Sequence, residues 1–153
     1  MRALLLAVFA LAACAQPPGV PDPSPSETSP RADLARQIRA DLQRLDAELR
    51  APGVVAAGIG ETADLGDGLT VRPIEVIEDS RCAANVTCVW AGRLRIRAAI
   101  AGVSGDRELT LGEVLATPHG AILLAVAKPS PWHDWPTAEI GPPPAYRLGF
   151  RRQ

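Results

Sequence analysis

From Leu34 onward the apolar residues recur with a helical step. Leu34, Ile38, Leu42, Leu45 and Leu49 are separated by four, four, three and four positions, so they share one face of a helix with 3.6 residues per turn. Ser29 can cap such a helix, Pro30 can open it, and Ala51-Pro52-Gly53 ends it, which predicts an amphipathic helix over 30–51. Its other faces mix Arg36, Arg39, Arg44 and Arg50 with Asp33, Asp41, Asp46 and Glu48. Three readings compete for the stripe: packing on the chain's own β domain, pairing with a second copy in an assembly role, or lying on a membrane. The charge mixture argues against the membrane, where a basic polar face is expected. Fewer than three heptads are present, too few for a coiled coil. Packing on the chain's own domain is the default.

After Gly53 the period changes from helical to alternating. Val54 to Gly60 and Leu69 to Glu78 read as the first two strands. In the second, Leu69 and Val71 lie on one parity and Ile74 and Val76 on the other, so the slip at Pro73 predicts a bulge or an edge position. In the third strand Trp90, Leu94, Ile96, Ala98 and Ile100 share one face, with Arg93, Arg95 and Arg97 opposite. Arg107 to Glu113 follows, then Ala121 to Ala127, apolar on both faces and therefore central or covered. Tyr146, Leu148 and Phe150 alternate with Arg147, Gly149 and Arg151 in the last. Six short strands with no helix between them predict a mainly β domain over 53–153, an antiparallel sandwich or small barrel. Parallel α/β folds are excluded because no crossover helices are available.

Composition adds the N-terminal part of the picture. The chain is 47% hydrophobic and 22% charged, enough for one domain with a core. Met1-Arg2 is a basic start, Ala3 to Ala10 an apolar run too short to span a bilayer, and Leu11-Ala12-Ala13-Cys14 follows at once. Leu-Ala-Ala-Cys resembles the lipobox of bacterial lipoprotein signals. That resemblance implies cleavage of 1–13, diacylglycerol on the Cys14 sulfur and an acylated amino terminus, hence a membrane partner through several acyl chains. Ala15, rather than Asp, implies delivery to the periplasmic face of the outer membrane. The competing readings of Cys14 are an ordinary secretory signal and an unprocessed cytosolic chain. Residues 14–29 are a Pro-rich tether. Its 15 positions after Cys14 reach about 45 Å if polyproline-like, which would lift a domain clear of the headgroups. A formal net charge of −1 gives no case for nucleic acid.

The stretch Asp79 to Gly92 anchors the β domain. With Cys14 set aside, Cys82 and Cys88 are the only cysteines, six positions apart around Ala-Ala-Asn-Val-Thr. In an exported chain they read as a disulfide-closed hairpin tip. Closing such a loop removes about 2.4 kcal/mol of unfolded-chain entropy. Asp79, Ser80, Arg81, Cys82, Cys88, Val89, Trp90, Ala91 and Gly92 together resemble the signature of a family of small bacterial lipoproteins, Asp-Ser-Arg-Cys followed by Cys-hydrophobic-Trp-Ala-Gly. The family usually has Pro after the first cysteine; here it is Ala83. The resemblance implies a β-rich domain and supplies no activity.

Each candidate site has a structural alternative. Asp79 and Arg81 could bind a polar ligand or satisfy the backbone and each other around the disulfide loop. Trp90 could be a stacking platform, but its parity favours a core position against the disulfide. The Arg93, Arg95, Arg97 ladder could meet an anionic envelope polymer, or be neutralised by Glu75, Glu78 or Glu108 on adjacent strands. The loop Pro129 to Pro136 gathers Trp132, His133, Asp134 and Trp135. It could contact an envelope protein or fold back to plug one end of the domain, one tryptophan inward and one outward. No nucleophile elbow, His-Glu-x-x-His or phosphate-cradling loop occurs, and Ser130, His133 and Asp134 are too close in a stiff loop to form a triad. The expectation is therefore a binding domain without cofactor or metal. A small hydrolase or metal-dependent enzyme using His133 and Asp134, with His119 as the other available histidine, is the alternative. The Asn85-Val86-Thr87 sequon is idle in a bacterium.

Overall fold

The computed structural model describes residues 29–153. The expected signal peptide 1–13, the expected lipidation site Cys14 and the expected tether up to residue 28 lie outside the described residues.

The helical stripe forms α1, Pro30–Leu49. Beyond it come eight strands: β1 (Val55–Gly58), β2 (Ala63–Asp64), β3 (Thr70–Asp79), β4 (Leu94–Ile100), β5 (Arg107–Thr110), β6 (Val114–Thr117), β7 (Gly120–Lys128) and β8 (Arg147–Arg152), with a short helix α2 (Thr137–Ile140) before the last. They make two four-stranded antiparallel sheets, ordered β1-β8-β7-β6 and β2-β3-β4-β5. The fold is a sandwich and not a closed barrel. The expectation of six strands with no intervening helix is corrected to eight strands and α2. The two extra strands, β2 and β6, are two and four residues long, too short to establish an alternation of their own.

The alternating residues form the core as expected: Leu69, Val71, Leu94, Ile96, Leu109, Ile122, Leu124, Leu148 and Phe150 are buried between the sheets. The slip around Pro73 is a register shift between Pro73 and Glu75, followed by a second between Val76 and Glu78. Beside Pro73, β3 has no ladder partner on its β2 side, where β2 pairs only with Thr70 and Val71. The missing N–H of proline is therefore harmless there. The Pro73 carbonyl accepts from Gly60 N–H at 2.7 Å.

The apolar outer face of β7 is covered by α1. Leu45 and Leu49 pack on Val126, with Ala56 and Ala125 beside them. Gly149 of β8 lies beneath: a Cβ there would sit 2.8 Å from Val54 Cγ1 and 3.1 Å from Leu49 Cδ2. The stripe thus packs on the chain's own sheet, and Lys128 Nζ pairs with Asp46 across the contact.

Candidate functional site

The disulfide Cys82–Cys88 is formed, with a Cα separation of 5.9 Å, in the connection between β3 and β4. Around it, nearly every neighbour is engaged in holding the backbone. Arg81 donates twice to Asp79, from Nε to Oδ1 at 2.8 Å and from an Nη to Oδ2 at 2.7 Å. It reaches on to the carbonyls of Ala127 at 3.2 Å and Pro129 at 2.7 Å, at the end of β7. The Tyr146 hydroxyl, at the start of β8, donates to Asp79 Oδ2 at 2.7 Å. This five-point node stitches one sheet to the other. The Asp79 and Arg81 side chains are each only 14% exposed, so removing either one would leave the other's charge largely buried without its partner.

Burial alone pushes the Asp79 carboxyl up, but the hydrogen bonds from Arg81 and Tyr146 and the guanidinium charge outweigh it and hold it below the usual carboxylate range. Burial, then the bond to Asp79, push the Tyr146 hydroxyl up to about 12. Ser80 N–H donates to the Arg93 carbonyl at 2.8 Å, and Cys82 N–H to that of Ala91 at 3.0 Å. Gly92 turns the chain at φ 64°; a Cβ at this position would fall 1.7 Å from the Ser80 carbonyl oxygen, so no other residue fits.

Gly92 also accounts for the correction at Trp90. The alternation that placed Trp90 with Leu94 and Ile96 assumes an unbroken strand, but β4 begins only at Leu94, and the positive-φ turn resets the parity. Trp90 is 82% exposed and Val89 91%, and Val86, in the same β3–β4 connection, is exposed as well. The exposed aromatic is therefore in the hairpin tip and not in the 129–136 loop.

That loop folds inward. Trp132 donates Nε1–H to Asp41 Oδ2 at 3.2 Å, and Trp135 donates to the Gly141 carbonyl at 2.7 Å. Both tryptophans are half-buried, so neither takes the outward position expected for one of them. His133 and Asp134 face solvent, with His133 Nδ1 2.9 Å from Asp134 Oδ2. The tip docks on this loop: Ala84 N–H donates to Pro131 O at 2.9 Å, and the Asn85 amide donates to His133 O at 3.0 Å while accepting from His133 N–H at 2.8 Å. A cleft of about 280 Å³ between Asp79, Pro131, Trp132, Trp135, Pro143 and Tyr146 has both indole donors and the Asp79 carboxylate already spent on internal partners.

The arginine ladder is met by carboxylates. Arg93 Nε lies 3.0 Å from Glu78 Oε2, Arg95 bridges Glu78 at 3.2 Å and Glu108 at 2.7 Å, and Arg97 pairs with Glu75. The Ser80 hydroxyl, and then Arg93, hold the Glu78 carboxyl below its ordinary range. This is the neutralised face, and it offers an anionic polymer no surplus of charge.

The two histidines do not converge. His119 packs over Gly102, beyond the C-terminal end of β4, whereas His133 lies beside the tip at the other end; a seven-residue strand alone separates these ends by about 20 Å. Among the described residues no three His, Cys, Asp or Glu side chains are grouped to hold a metal ion.

In comparisons with known proteins the chain matches no family model, no curated protein and no solved structure. The signal that could have located the exposed tip is Gly92 itself, a glycine between Trp90 and the first regular strand residue.

Proposed function

We propose that this chain is a lipid-anchored protein of the bacterial cell envelope, tethered through Cys14 at the periplasmic face of the outer membrane, and that its sandwich works by binding an envelope component without catalysing a reaction. The observation that carries this reading is the display of Val89 and Trp90, almost wholly exposed, immediately after a disulfide-closed loop. Folding buries large apolar side chains wherever it can. Here the disulfide, the Asp79–Arg81–Tyr146 node and the glycine turn hold a loop in a shape that keeps two of them in water. Exposed apolar groups on a rigid frame are the mark of a contact surface. The leader pattern and the disulfide both favour an exported, oxidising location.

The test is expression with the native leader in a Gram-negative host. Wild type is expected in the outer-membrane fraction with acyl mass on Cys14, and Cys14→Ser in the soluble periplasm. A photoreactive amino acid at position 90 is expected to cross-link to a component of the envelope, and one at the exposed, charged position 113 is not. Cytoplasmic retention with both loop cysteines reduced, or equal cross-linking at the two positions, would reject the reading.

A further inference from the structure

Resting on the anchored reading above, we propose that Val86, Val89 and Trp90 form a second membrane contact, a wedge that enters the headgroup region of a phospholipid bilayer and lays the tethered domain down on it. Three observations name the bilayer as the occupant. First, the wedge stands at the end of the domain where α1 begins. Pro30 and Arg31, where the chain comes in from residues 1–28, line a cavity with Asp134 and Trp135. The adjacent residue, His133, is the one gripped at both backbone groups by Asn85 of the tip. Only the width of one loop separates the start of α1 from the wedge. Second, Cys82 to Gly92 contains no charged side chain, so no charge in the tip opposes a shallow entry into the headgroup region. Third, side chains exposed at 82% and 91% stand out from the surface. A protruding apolar tip needs a partner that deforms around it, which lipid does, and indole prefers the interface between water and acyl chains.

Such a wedge is weak as a free ligand and need not be strong. A single acyl chain binds membranes only marginally, but covalent attachment to the same bilayer converts the second contact into an intramolecular event, so a weak wedge suffices. The tether's reach permits both a raised and a docked domain; the wedge selects the docked one.

The mature chain from Cys14, coupled through that thiol to a maleimide-headgroup lipid in phosphatidylcholine vesicles, tests the wedge whether or not Cys14 is acylated in the cell. With brominated acyl chains in the vesicles, wild type is expected to lose indole emission and Trp90→Phe to lose none, Trp132 and Trp135 remaining as internal reporters. In uncoupled Cys14→Ser protein at millimolar lipid, Trp90→Ala is expected to partition about tenfold less than its parent. Absence of the Trp90 quenching in coupled protein would overturn the proposal. So would shielding of Trp90 from aqueous acrylamide before lipid is added, because the Pro-rich segment or a second copy would then already cover it. Normal quenching in coupled protein whose native form carries no acyl mass would remove the anchor and keep the wedge.

Discussion

Asp79 and Arg81 illustrate how much one pair of side chains does here. A carboxylate two residues from a guanidinium is an ordinary local pairing, yet the same Arg81 fork satisfies carbonyls 46 and 48 residues away, and Tyr146 closes the set. The pH dependence follows from the direction of each shift. Asp79 has a depressed folded pKa, so its contribution is complete above the ordinary carboxylate value and lost as pH falls through the folded one. Tyr146 has a raised folded pKa, so its contribution is complete below 10 and lost as pH rises to about 12. Urea unfolding of wild type across this range is expected to lose stability on both limbs. Tyr146→Phe is expected to flatten the limb between pH 10 and about 12. An unchanged alkaline limb in that variant would assign the loss to other groups.

Among the elements, α1 and the sheet beneath it are fitted through a missing side chain. Gly149 needs no unusual backbone angle; its role is space, since Leu49 and Val54 occupy the volume a methyl group would fill. Gly149→Ala is expected to cost about 2 kcal/mol by overpacking. In a double-mutant cycle with Leu49→Ala, part of that cost should return as a coupling of about 0.5 kcal/mol or more, because the leucine methyl is one of the clashing groups. Denaturant midpoints of the four proteins measure it, and strict additivity would mean that α1 does not rest on Gly149.

Across the domain as assembled, the β3–β4 tip, the 129–136 loop, α2 and the start of α1 meet at one end. The tip and the loop hold each other, so they should loosen together. Reducing Cys82–Cys88 is expected to lower stability by about 2 kcal/mol. It is also expected to raise amide exchange at Ala84 and His133 in parallel, since each donates across the contact. Faster exchange at Ala84 alone would show that the loop keeps its shape unaided.

The periodicities determined much of this. The stripe Leu34 to Leu49, the alternation in β3, β4 and β8, the two apolar faces of β7, the slip at Pro73 and the disulfide were legible because each is a local relation, within a turn of helix, along one strand or across a short loop. The carboxylates Glu75, Glu78 and Glu108 were likewise visible as possible partners for the arginine row, although register alone made them actual ones. The direction of Trp90, the inward fold of Trp132 and Trp135, and the reach of Arg81 to β7 were set by contacts between segments far apart in the chain. Side-chain direction follows alternation only while the strand is unbroken. At Gly92 it breaks, and from there the neighbours brought in by folding, not the spacing of residues, chose which tryptophan meets the solvent.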